Sequence, residues 1–227
     1  MKRLSVAALP IIFVLSLILV PSRPASSAYT PDDCSCTAPD GSCSASVSCN
    51  GGCTKFCGNG DNCSASCSGS YEFLASEVTL EMQSSTYPQL VSELARISAR
   101  DLAFSPTKPD MIFNVGFKRA TVWDALKLLS QQGTVRIGGQ DFEKLKRLRK
   151  ALLSGERFSC CVKGTSVNTF IADMVGLTGL PLRIASGNPM TTINIKLENV
   201  TLTEVLNIVS AQTGATIVQA GADSGAQ

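Results

Sequence analysis

Ten cysteines are the residues best equipped for chemistry in this chain, and eight of them crowd into one segment: Cys34, Cys36, Cys43, Cys49, Cys53, Cys57, Cys63 and Cys67. Thiolates bind metals, exchange with disulfides, or crosslink a chain too small to hold a core. Spacing separates these uses. Zinc sites favour two C-x₂₋₄-C pairs, or one such pair with histidines, and dithiol redox sites use C-x-x-C. Here a C-x-C is followed by Cys49, Cys53 and Cys57 at every fourth residue and then by Cys63 and Cys67, and no C-x-x-C occurs. Fourfold spacing would align thiolates on a helix face, but Gly51, Gly52, Gly58 and Gly60 oppose a helix there. The neighbours are Gly, Ser, Asn and Asp, which offer little apolar surface to bury, so the segment is expected to be irregular and stapled by disulfides. The sequence leaves the pairing open. The C-x₃-C pairs sustain one alternative, a metal-binding Cys-rich head with the rest of the chain as its scaffold.

The last two cysteines are adjacent. Alternation along an extended strand puts Phe158, Cys160 and Val162 on the core face and turns Cys161 outward, free to pair with the Cys-rich segment or to crosslink another chain. The chain has no histidine, which excludes Ser-His-Asp and Cys-His catalysis and histidine-ligated metals. No phosphate-cradling G-x-x-x-x-G-K-[ST] or G-x-G-x-x-G motif occurs, and the carboxylates are scattered singly. The expectation is a non-enzyme with no catalytic residue, cofactor or metal. Trp123, the single tryptophan, sits at the edge of its helix's apolar stripe, either as a packing residue or as a partner-binding anchor.

These residues must be positioned by elements whose limits the sequence also marks. Residues 1–28 carry two early cations, an apolar run from Val6 to Val20 and small residues at Ser26 and Ala28, the pattern of a secretory signal peptide. Cleavage there removes Lys2, Arg3 and Arg23 and no acid, taking the formal charge from +2 to −1. A near-neutral chain has no field to hold nucleic acid. Composition then divides the remainder into a Cys-rich segment (29–70), a first unit (77–139), a linker helix (140–156), a second unit (157–221) and a disordered tail (222–227).

The two units are copies. At a constant offset of 80, Leu90, Leu94 and Ile97 match Phe170, Met174 and Leu177; Phe113, Val115 and Phe117 match Ile193, Ile195 and Leu197; Val122, Leu126 and Leu129 match Leu202, Leu206 and Val209. In each, a half-buried strand precedes a helix, two strands follow, and a second helix leads into a last strand. Thr121 with Asp124, and Thr201 with Glu204, read as helix-opening capping boxes, and Gly133 and Gly214 as left-handed stops. The predicted fold class is α+β: two tandem small β-α-β-β-α-β domains behind a disulfide-rich irregular segment. Between them, Phe142, Leu145, Leu148 and Leu152 form one stripe flanked by Lys144, Lys146, Arg147, Arg149 and Lys150. This amphipathic helix packs on a domain or, through residues 141–154, touches a membrane surface.

The phrases "TINIKLENVTLTEVLNIV" (192–209) and "IFNVGFKRATVWDALKLL" (112–129) resemble the short periplasmic domains at the N-terminus of secretins and TonB-dependent receptors. The likeness is close over 158–220 and looser over 77–139. It implies secretin N-domain folds that dock to partners or stack in rings beside an outer-membrane channel. Both architectures continue into a β-barrel, whereas this sequence runs to "GADSGAQ" after the second unit, so the docking role alone carries over. The resemblance implies an exported, periplasmic or secreted, non-catalytic docking module in an envelope secretion or uptake assembly, with a protein partner of that assembly or a second copy of itself.

Overall fold

The computed structural model describes residues 35–45, 49, 52–60, 62–67, 69–108 and 111–220. The expected signal peptide (1–28), Cys34 and the expected tail (222–227) lie outside these residues. What is described is a mixed α+β fold with five α-helices, several small sheets and a disulfide-rich N-terminal region.

The Cys-rich head contains the short strands β1 (Cys36–Thr37) and β2 (Ser44–Ala45), then the hairpin of β3 (Cys53–Gly58) and β4 (Asn62–Cys67). A 3₁₀ turn (Glu72–Ala75) leads to β5 (Glu77–Ser85), α1 (Tyr87–Ser98), β6 (Leu102–Pro106), β7 (Phe113–Thr121), α2 (Val122–Ser130) and β8 (Gly133–Ile137). After β9 (Gln140–Asp141) and α3 (Phe142–Ser154), the order recurs as β10 (Phe158–Ser166), α4 (Val167–Thr178), β11 (Leu182–Ser186), β12 (Thr192–Val200), α5 (Leu202–Thr213) and β13 (Thr216–Gln219).

Pairing recurs with order. β5 lies antiparallel to β7 as β10 does to β12, and β6 pairs with β8 as β11 does with β13. Both long pairs carry bulges at matching places, between Val78 and Leu80 and between Phe158 and Cys160 near one end. At the other end Ser84 and Gly164 take left-handed backbone (φ 51° and 62°), and each N–H donates to an asparagine Oδ1 on the facing strand, Asn114 at 2.7 Å and Asn194 at 2.9 Å. Arg119 and Asn199, again 80 apart, are also left-handed (φ 56° and 54°). Two irregularities with the same side-chain lock, in the same register, tie the halves together more tightly than apolar spacing alone.

Local signals account for the helices. Thr121 Oγ1 accepts the Asp124 N–H at 3.1 Å and Thr201 Oγ1 accepts the Glu204 N–H at 3.3 Å, so both expected capping boxes form. Gln89 makes a third by accepting the Thr86 N–H at 2.8 Å. Gly214 is the left-handed stop of α5 (φ 67°). Gly133 is not the stop of α2, which ends at Gln131 in right-handed backbone. Gly133 opens β8 instead, where an added Cβ would lie 2.2 Å from the Ser105 carbonyl oxygen, so close strand approach is what requires glycine.

Two expectations about organisation are corrected. The head is not irregular: β3 pairs with β10 over Phe158–Lys163, giving one sheet of order β12-β10-β3-β4. Nor do the two halves hold separate cores. Leu90, Leu94 and Leu126 from the first, Phe170, Met174 and Val209 from the second, Phe142, Leu145 and Leu148 from α3, and Phe56 from the head belong to one continuous buried cluster. Each half buries one helical layer on narrow sheets, and the two are joined through α3, which packs against α2, β8 and α4, and through the 3₁₀ turn, which packs against α2 and α4.

Candidate functional site

The head's chemistry is fixed by its crosslinks. Cys36 pairs with Cys57, Cys43 with Cys63, and Cys49 with Cys67, which is consistent with export or another oxidising compartment. A disulfide sulfur is not a thiolate, so these six cannot ligate a metal in this state, and the described residues contain no cluster of three or more potential metal ligands. Cys34 lies outside the described residues. Cys53 corrects an expectation: it is a buried free thiol, because its cross-strand neighbour Cys67 is taken by Cys49.

Cys160 and Cys161 are both fully buried. Cys160 points into the core as expected, and burial pushes its thiol up to about 12, holding it protonated. Cys161 was expected to face outward. It does lie on the opposite face, but that face is not open, since β3 extends the sheet and β1 lies against β10. It is disulfide-bonded within the fold, which removes it as a link to another chain.

Trp123 is likewise placed inside rather than presented. It is 6% exposed, its ring 4.9 Å from that of Phe142 and under the Arg149 guanidinium at 4.3 Å from the ring centroid. The stripe of α3 has the same fate, with Phe142, Leu145, Leu148 and Leu152 buried in the shared core and therefore not available to enter a bilayer. Among the described residues no helix is long and apolar enough to cross a membrane, which says nothing of strands.

The arrangement that distinguishes the halves is the treatment of one sheet edge. In the second half, the edge of β10 away from β12 is filled by β3: Phe56 faces Cys160 and stacks edge-on against Phe158 at 5.7 Å, while Lys55 faces Cys161. The chain leaving β4 is then caught by α4. Asp173 accepts the N–H groups of Gly69 and Tyr71 at 2.8 Å each and of Glu72 at 3.2 Å, and Gly176 lets the Tyr71 carbonyl oxygen come to 1.9 Å from where a Cβ would stand. Burial raises the Asp173 pKa, and the three N–H donors act against that rise.

In the first half the same edge is open. β5 pairs only with β7 among the described residues, and a cleft of about 590 Å³ runs beside it, lined by Leu80, Glu81 and Met82 from the strand and by Pro88, Gln89, Ser92 and Glu93 from α1. Glu77, Thr79, Glu81 and Gln83 are exposed on the outer face. Sequence reasoning did not single out this edge. Its signal was present in the repeat: Glu81 stands at the offset position of Cys161, and Glu93 at that of Asp173. Compared with protein-family models, curated proteins and solved structures, the chain matches none.

Proposed function

We propose that the protein is an exported, disulfide-stapled docking module that works by protein–protein contact, without catalysis, in or near an envelope secretion or uptake assembly. The observation that carries this reading is the asymmetry between the repeats. One unit has its sheet edge and outer face closed by the head, and the other offers the same edge and face to solvent. An open edge invites another chain, and proteins otherwise cover or blunt such edges. The resemblance to periplasmic docking domains and the three disulfides support the placement in the envelope. The crosslinked cysteines disfavour the metal-binding alternative.

The test is site-specific photocrosslinking in the source cells. A photoreactive residue at the exposed position of Gln83 in the first half, and one at Arg183 in the second, sample both units of the full-length protein. The expected result is a discrete adduct with a component of an envelope channel or receptor complex, identified by mass spectrometry. Absence of an adduct from both positions, with the protein folded and exported, overturns the docking role.

A further inference from the structure

The second half records what its sheet edge accepts, and the repeat transfers that record to the first. The offset of 80 is set by backbone register, not by sequence likeness alone: Leu80, Glu81 and Met82 face Phe117, Gly116 and Val115, as Cys160, Cys161 and Val162 face Leu197, Lys196 and Ile195. Paired residues on adjacent antiparallel strands share a face. The strand added to β10 therefore supplies an aromatic on the core face at the position matching Leu80 and a lysine on the outer face at the position matching Glu81.

In the first half the core-face position is again apolar, and the outer position carries an acid, Glu81, where the second half carries the disulfide-bonded Cys161 facing Lys55. Val78 and Leu80 hold the core face. Glu77 is paired with Arg119 and Glu93 with Arg96, but Glu81 makes no ion pair among the described residues. Pairing of β5 with β5 of a second copy is disfavoured by charge. In the registers centred on Thr79 or Glu81 it sets Glu77 against Glu81 or Glu81 against itself, and in the one centred on Leu80 glutamates remain diagonal neighbours.

We propose that β5 is a strand-addition site for an extended segment of another protein, running antiparallel to Glu77–Ser85, with a lysine or arginine facing Glu81 and an apolar side chain facing Leu80. This rests on the docking reading and names its partner chemistry. The precedent stops at α1. Arg96 occupies the position where Gly176 admits the chain after β4, so the strand carries over and the turn that follows it does not.

The probe is a synthetic peptide of residues 52–60 bearing Cys53→Ser and Cys57→Ser, titrated into the full disulfide-bonded chain and followed by amide chemical shifts and hydrogen exchange. The expected result is shifts and slowed exchange confined to β5 and its flanks. Glu81→Lys in the protein weakens binding roughly three- to tenfold, and Lys55→Glu in the peptide restores it, a charge-swap rescue that a merely structural role for Glu81 would not give. An unchanged thermal midpoint for Glu81→Lys shows that the variant is folded. Silence of β5 at millimolar peptide, or binding indifferent to both charge changes, overturns the proposal. So do shifts at β5 that grow with protein concentration alone, which assign the edge to a second copy. An envelope adduct formed only from Arg183, with β5 silent, removes the edge assignment and leaves docking standing.

Discussion

Removal of the Asp173 carboxylate is the sharpest perturbation of how the head is joined to the fold. Its Oδ1 accepts the Tyr71 and Glu72 N–H groups, at 2.8 and 3.2 Å, and its Oδ2 accepts Gly69 at 2.8 Å. Asp173→Ala leaves all three donors without an acceptor. A buried donor stranded in this way costs about 1–3 kcal/mol. Tyr71 is deeply buried and should show the full cost, whereas Gly69 and Glu72 are partly reachable by water, so the expected loss is about 3–5 kcal/mol, a large share of the 5–15 kcal/mol typical of a domain. Asp173→Asn retains Oδ1 with two of the three bonds and should lose only about 1–2 kcal/mol. Urea unfolding with disulfides intact, read by far-ultraviolet circular dichroism, measures both. A pH series adds an independent signature. Burial raises the carboxyl pKa above the ordinary 3.8, so the native state binds this proton more tightly than the unfolded chain. The stability it contributes is complete below pH 3.8 and is lost as pH rises through the native pKa. Asp173→Asn should lack that decline. An alanine variant within 1 kcal/mol of the parent, or an asparagine variant as unstable as alanine, refutes the three-donor account.

Alkylation tests the cysteine assignment. With a thiol raised from 9.0 to about 12, Cys160 carries roughly a thousandfold less thiolate near pH 8 than an ordinary cysteine. Cys160 should therefore resist iodoacetamide in the folded protein, Cys53 should resist it because it is buried out of reach, and both should react once the chain is unfolded without reductant; peptide mapping that finds either labelled in the native state contradicts the fold around β10. Trp123→Ala removes a ring packed between Phe142 and Arg149, and should lower stability by about 3–5 kcal/mol in the same urea assay. A loss below 1 kcal/mol would return Trp123 to the surface role that its place at the stripe's edge had left open.

What the sequence determined by itself is what depends on neighbours along the chain. Threonines three residues before Asp124 and Glu204 fix helix starts, apolar spacing fixes which helix faces turn inward, and the offset of 80 shows that two units share one plan. Each rests on interactions within a few residues, so each is written locally. Only the tertiary structure decided the fate of the cysteines and of the sheet edges. The segment "CTKFCG" has no clean alternation, and it becomes β3 because β10 offers unpaired backbone while disulfides hold the head beside it. The same addition buries Cys161, closes one repeat and leaves its twin open. Asp173 and Glu93 occupy matching turns of matching helices, yet one is enclosed by a chain returning from about a hundred residues away and the other faces water. Hydrogen bonds and burial of that range follow from which surfaces meet, and no local pattern of residue types encodes that meeting.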